Sequence, residues 1–354
     1  MPLYSPPGMY AWDFWIVRVP RGYHLFHLQA SRRLPAGLRH FHASVGHAFS
    51  RDLSSWEYRG TVLAPGRPGE WDDRAIWTGS ILEDGGRYWF LYTALRRGDG
   101  GIQRIGLAVS DDLERFEKHS GNPVLRADPR WYATCRGFPK VEDWRDPYLV
   151  RLGGRTCALI TATLAPPSGT SRGKEAAARA GDLLALSPLD GLARRVTPPS
   201  LAGRGCVALA TTEDFVRWEV RPPLFAPGRY SHMECPEIFE RDGLFYLTFS
   251  TFAGWYHPDW DRRIGGGRTG MHAYVAPRPE GPYEPVNGTG IVLGTETGAY
   301  ATRVILPDDG NGSWRAMTWR LFAPGSRRFC GRITSPFPLA IQGTSIQAAP
   351  VPGE

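Results

Sequence analysis

Short stretches in which apolar and polar residues alternate recur along the whole chain, and Gly or Asp-Gly breaks separate them. Alternation with a period of two marks a strand with one buried face, and a Gly-bearing break between two such runs marks a hairpin. "AWDFWIVRVPRGYHLFHLQA" from Ala11 is a hairpin of this kind, turning at Arg21-Gly22. "WTGSILEDGGRYWFLYTA" from Trp77, "WRDPYLVRLGGRTCALITA" from Trp144 and "ECPEIFERDGLFYLTFS" from Glu234 repeat it, and "ATRVILPDDGNGSWRAMTWR" from Ala301 is a fifth copy. Between these copies stands a second strand-turn-strand pattern: an alternating strand that ends in Ser or Thr, then an acid, an apolar residue and an aromatic-Glu pair. It occurs at Gly46 to Leu63, Gly106 to Leu125 and Ala208 to Phe225, with a degenerate version at Ala273 to Val286.

Two hairpins per unit, repeated five times at roughly fifty to ninety residues, predict five four-stranded sheets. One such sheet cannot cover both of its faces, and packing five radially around an axis solves that for all of them. The expectation is an all-β chain: a single five-bladed β-propeller over residues 1–354, almost without helix and without a C-terminal β-sandwich. Leu164 to Gly205, rich in Pro, Ser, Ala and Arg, interrupts the third blade between its two hairpins. It reads as a surface insertion with a short helix around Lys174 to Arg179.

Composition narrows the function class. The net charge of +7 comes from Arg spread along the chain rather than gathered into a patch, which argues against nucleic acid. No run approaches the ~18 apolar residues of a membrane span. Five cysteines without CxxC spacing suggest reduced thiols, and no basic-then-apolar leader is visible, so a cytoplasmic location is expected. His40, His42 and His47 have loose metal-like spacing, but no Cys or acid completes a set. They read as strand-surface histidines, with no metal and no cofactor expected.

Aligned on their turns, the first hairpins place Asp13, Asp146 and Glu234 at the start of the first strand in blades one, three and four. Blades two and five hold Thr78-Gly79 and Thr302-Arg303 there. First strands line a propeller's axis, so three carboxylates from three blades would meet in one pocket. Single acids at strand ends usually cap turns; three at one repeat position favour a cluster. Crowded carboxylates push their pKa values apart, the condition that glycoside hydrolysis exploits with one acid and one ionised partner. Trp12, Trp15, Trp77 and Trp144 suit the apolar face of a sugar ring, although packing between blades competes for the same rings. The partner implied is an oligosaccharide or small glycoside.

"RDP" at Arg145 to Pro147, "ECP" at Glu234 to Pro236, "WTGS" at Trp77 to Ser80 and "GHAFSRDLSSWE" from Gly46 resemble glycoside hydrolase family 32, the β-fructofuranosidases, from Trp12 to about Pro285. That resemblance implies Asp13 as nucleophile, Glu234 as general acid/base and Asp146 as transition-state stabiliser. It places Trp12, Trp77, Ser80, Arg145 and His232 in the substrate-binding set. The first motif departs from the family's Asn-Asp-Pro: "AWDFW" is closer to the Trp-Asp of the related levansucrase family 68. Three readings follow. One is a retaining hydrolase of β-fructofuranosides, with transfer to a second sugar as a variant. Another is an inverting arabinofuranosidase or xylosidase of the family 43 type, in which Asp13 activates water. The last is a non-catalytic sugar-binding propeller. Carboxyl groups about 5–5.5 Å apart suit a nucleophile, and ~6.5–9.5 Å leaves room for water. Glu234, flanked by Met233, Cys235 and Pro236, is expected to carry the raised pKa, and Asp13 to stay ionised.

Overall fold

The Gly-bearing breaks are hairpin turns. Gly85-Gly86 (φ +62°, +77°) and Gly153-Gly154 (φ +55°, +77°) each set two consecutive left-handed residues, the backbone that matches the twist of the flanking strands. The computed structural model describes residues 3–134, 143–166, 201–306, 313–323, 326 and 328–353; the helix expected at Lys174 to Arg179 lies outside them.

Five sheets result. Blade one holds β1 (Met9–Val19), β2 (Gly22–Ser31), β3 (Ser44–Ser50) and β4 (Glu57–Leu63), and blade two holds β5 (Ala75–Asp84), β6 (Arg87–Leu95), β7 (Arg104–Ser110) and β8 (Glu117–Lys118). Blade three comprises β9 (Trp144–Leu152), β10 (Arg155–Thr163), β11 (Gly205–Thr212) and β12 (Glu219–Phe225). Blade four comprises β13 (Glu234–Arg241), β14 (Leu244–Thr251), β15 (Gly270–Ala276) and β16 (Glu284–Pro285). Blade five is β17 (Ala299–Ile305), β18 (Arg315–Phe322), β20 (Phe337–Gln342) and β21 (Ser345–Ala348), with β19 (Phe329–Ile333) also paired to β18.

The first strands touch in a closed ring, β1 to β5, β9, β13, β17 and back to β1. Apolar layers fill the space between neighbouring blades: Leu91 and Leu107 meet Leu149 and Ile160, Leu159 and Val207 meet Ile238 and Leu247, and Phe239 meets Val304. Backbone bonds between Tyr4 and Ile333 (2.7 and 2.8 Å) tie the N-terminal segment to blade five. Closure leaves few free sheet edges, the usual hazard of an all-β chain.

The Ser/Thr-acid-apolar repeat is a turn device. Ser50, Ser110 and Thr212 accept the backbone N–H of Leu53, Leu113 and Phe215 at 2.9–3.0 Å. Those three residues are buried and left-handed (φ +65°, +65°, +60°). Asp52, Asp112 and Asp214 each accept two further N–H groups of the same turn, an arrangement that mimics a backbone turn. The histidines differ from the surface reading. His47 is fully buried and pairs with His24 at 2.8 Å, while His40 lies in the 3-10 turn Ala36–His42 between β2 and β3.

Every first strand carries a bulge at one height. Pairing slips between Trp12 and Phe14, Trp77 and Gly79, Arg145 and Tyr148, Glu234 and Glu237, and Tyr300 and Arg303. Asp13, Asp146, Cys235 and Ala301 sit there with φ +30° to +54°. Bulges re-aim side chains, and these five aim theirs around the axis. Next to them Arg303 of β17, 4% exposed, bridges first strands: its guanidinium donates to Phe14 O of β1 (2.9 Å) and Cys235 O of β13 (3.2 Å) and lies 6.0 Å from the Tyr148 ring of β9.

Candidate active site

The bulges correct the register read from the turns. Asp13 and Asp146 occupy equivalent positions, but their equivalent in blade four is Cys235. Glu234 stands one residue earlier, level with Trp12, Trp77, Arg145 and Tyr300. The strand ends still converge, and Asp13, Asp146 and Glu234 bear on one another electrostatically.

Asp13 Oδ1 accepts from Trp319 Nε1 (2.9 Å) and Oδ2 from the Thr78 hydroxyl (3.3 Å). Burial, then the charges of Asp146 and Glu234, push its pKa up to about 7 against the pull of Arg39 and Trp319. Asp146 Oδ2 accepts from the Cys235 N–H and the Thr161 hydroxyl, each at 3.2 Å. Burial first and then Glu234 raise it to about 6, against Arg145 and the Cys235 N–H. Asp13, expected to stay ionised, is therefore held near neutrality. Glu234, expected among apolar neighbours, accepts instead from Arg145 Nη2 (2.7 Å) and the Tyr300 hydroxyl.

Arg145, 9% exposed, is the hub. Beside Glu234 it holds Asp143 Oδ1, and its Nε lies 3.5 Å from Asp146 Oδ2. Asp143 Oδ2 in turn meets His232 Nδ1 at 2.5 Å, and the His232 ring packs on Trp255 with centroids 4.4 Å apart. Both Asp143 and His232 are 2% exposed.

Several residues expected at the sugar stand elsewhere. Ser80, 3% exposed, accepts the Leu149 N–H at 2.6 Å and so brackets blade two to blade three; Thr78 is the residue of that stretch that reaches the acids. Trp12 is wholly buried, edge-on to His40, and presents no face to solvent. Trp15 stacks on Phe26, and Trp144 donates to Leu125 O; both are core residues. Trp77 alone of the four is half-buried, fixed by a 2.6 Å bond to His40 O. His232 reaches the cluster through Asp143 rather than directly. Tyr300, Trp319 and Asp143 were not singled out from sequence, and Thr78 was read only as standing where blade two lacks an acid. Aligning on the bulges rather than the turns brings out Tyr300, which shares the register position of Arg145 and Glu234. Among the described residues no group of three His, Cys, Asp or Glu could hold a metal ion, and no helix is long and apolar enough to cross a membrane.

Residues 16–165 match the glycosyl hydrolases family 32 N-terminal domain. The chain is 28% identical over 315 residues to the extracellular sucrase of Zymomonas mobilis, covering 81% of this chain and 71% of that one. It is 29% identical over 279 residues to the levansucrase of Erwinia amylovora, covering 72% and 60%. Among solved structures, an inulosucrase from Halalkalicoccus jeotgali bound to kestose superposes with a TM-score of 0.74 at 23% identity, over 99% of this chain and 91% of that one. The full-length β-fructofuranosidase from Microbacterium saccharophilum K-1 gives 0.73 at 20%, over 98% and 76%. The sucrases of two Zymomonas mobilis strains are named extracellular, which points to secretion and overturns the cytoplasmic expectation. The thiols misled because they report packing: Cys157, Cys206, Cys235 and Cys330 are buried, where a cysteine behaves as a small apolar residue in any compartment.

Proposed function

We propose that the chain, a five-bladed propeller similar to glycoside hydrolases of family 32, is a retaining β-fructofuranosidase. It would release the terminal fructosyl unit of sucrose or a related oligosaccharide. The observation that carries this reading is the convergence of Asp13, Asp146 and Glu234, which bear on one another electrostatically, with the Arg145 guanidinium holding Glu234 and lying beside Asp146. Glu234 would give its proton to the glycosidic oxygen while Asp13 attacks the anomeric carbon, breaking the C–O bond and forming a fructosyl ester. Glu234 would then take the proton of the incoming water as it displaces Asp13. Asp146, held by Thr161 and the Cys235 N–H, is left to grip sugar hydroxyls as positive charge grows on the ring.

Transfer to a second sugar follows if a hydroxyl replaces water in the second step. The Trp12-Asp13 pair, shared in type with levansucrases, favours testing it alongside hydrolysis. The test is product analysis with sucrose plus two variants. Glu234→Gln should cripple sucrose cleavage, yet a nitrophenyl β-fructofuranoside should still load Asp13. Azide should then relieve the block and give a fructosyl azide of retained configuration, because azide needs no general base. Asp13→Asn should be inactive on both substrates. Inverted products, or release of arabinose or xylose without fructose, would overturn the reading.

A further inference from the structure

Arg145 poses a problem for the chemistry proposed above. A guanidinium 2.7 Å from Glu234 favours the carboxylate and so opposes the protonated state a general acid needs. Arginine cannot shed its charge to help. Its field on Glu234 falls only if another anion shares it, and Asp143 is placed to do so.

We propose that Asp143 and His232 form a positioning pair that takes up part of the Arg145 charge and thereby sets the pH range over which Glu234 keeps its proton. The inference rests on the assignment of Glu234 as the acid. Asp143 precedes β9, and its backbone is pinned there: its N–H donates to the Thr163 hydroxyl (2.9 Å) and its carbonyl accepts from Thr163 N–H (3.3 Å). One carboxylate oxygen holds Arg145 Nη1 and the other faces His232 Nδ1 at 2.5 Å. Arg145, with His232, keeps Asp143 ionised below the usual carboxylate range although burial opposes it. His232 is itself fixed, its ring on Trp255 and its carbonyl accepting the Thr251 hydroxyl (2.8 Å), two residues before Glu234. The pair therefore joins both strands that carry the acid and its guanidinium, β9 and β13.

The groups facing each member are few. Around Glu234 stand Arg145 and Asp146 of β9, Tyr300 of β17, Cys235 of β13 and Asp13 of β1. Arg145 faces Asp143, Asp146, Glu234 and the Gln103 side chain (3.4 Å). Asp143 faces Arg145, His232 and, more remotely, Cys206 of β11. Glu234 and Asp146 are the other two carboxylates beside Arg145, so loss of the Asp143 charge falls on them.

The experiment is Asp143→Asn, an isosteric loss of charge, assayed as kcat/KM against pH on sucrose and on a nitrophenyl β-fructofuranoside. On sucrose the upper limb, which reports the acid, should move down by about one pH unit. On the activated substrate, whose departure needs no proton, no such move should occur. Asp143→Glu should restore the limb in part, and His232→Gln, which keeps a donor toward Asp143 without the ring, should shift it less than Asp143→Asn. A parallel fall on both substrates with the limb unmoved would overturn the proposal and leave Asp143 structural. If Asp143→Asn does not fold, the His232→Gln profile decides on the same criterion: an unmoved limb refutes it. Glu234→Gln run beside them separates the two claims. Full sucrose cleavage by that variant sinks the assignment of the acid, whereas a crippled Glu234→Gln with an unmoved Asp143→Asn limb sinks only the pair.

Discussion

Trp319→Phe tests how Asp13, the proposed nucleophile, is kept ionised. Asp13 is pushed up to about 7 by burial and two neighbouring carboxylates, and the Trp319 indole N–H at 2.9 Å opposes that push. A hydrogen bond to a charged group contributes about 1.5–3 kcal/mol; at about 1.36 kcal/mol per pKa unit that is about 1–2 units. The Thr78 hydroxyl and the Arg39 charge remain, so we take the lower figure and expect the lower limb of kcat/KM on sucrose to rise from about 7 to about 8. At pH 6 roughly a tenth of the wild-type Asp13 is ionised and roughly a hundredth in the variant, a further tenfold loss. Because Asp13 and Asp146 are electrostatically coupled, the limb reports the pair rather than one residue, and the comparison between variants is what counts. Thr78→Val, which removes a longer 3.3 Å bond, should shift it less. Fructose release measured from pH 4 to 9, with thermal unfolding alongside, separates proton chemistry from packing, since Trp319 also touches Tyr300 and Phe329. A variant of lowered melting temperature whose limb stays put would refute the reasoning.

Three further outcomes follow from the fold. Ser80→Ala should cost about 1–3 kcal/mol in urea unfolding by orphaning the Leu149 N–H; a raised KM with unchanged stability would mean that Ser80 holds substrate instead. Burial holds His27 down to about 4 and His47 to about 3. The unfolded chain thus binds more protons below pH 6.5, and stability present above that value is lost as pH falls toward 4, by up to about 3 kcal/mol for His27. Melting temperature between pH 7.5 and 4 should fall accordingly, and His27→Gln should flatten the curve. Arg303→Met should cost about 3–5 kcal/mol, because Glu237, which Arg303 faces, would be left buried without a compensating charge; denaturation showing under 1 kcal/mol would exclude that brace.

The architecture was legible because all five blades write the first hairpin and four of them the second, and period-two alternation with Gly turns leaves one economical packing. The acids were legible for the same reason, with their register one residue out at Glu234. Turns count strand length from the far end, whereas the bulges insert a residue between turn and pocket, and alternation does not reveal a bulge in an already apolar strand. Tyr300 and Trp319 were hidden because an aromatic at a strand start looks like core until its polar atom is seen to face an acid. Ser80 misled in the opposite sense, a hydroxyl in a suggestive motif that is spent on the Leu149 N–H.

Arg303 braces the first strands from within. Standing on β17, with its guanidinium joined to β1 and β13 and lying near Tyr148 of β9, it ties four of the five blades together with one side chain. The carbonyls it holds belong to Phe14 and Cys235, each next in sequence to an acid of the cluster, Asp13 and Glu234, so the brace fixes the backbone from which two of the acids stand.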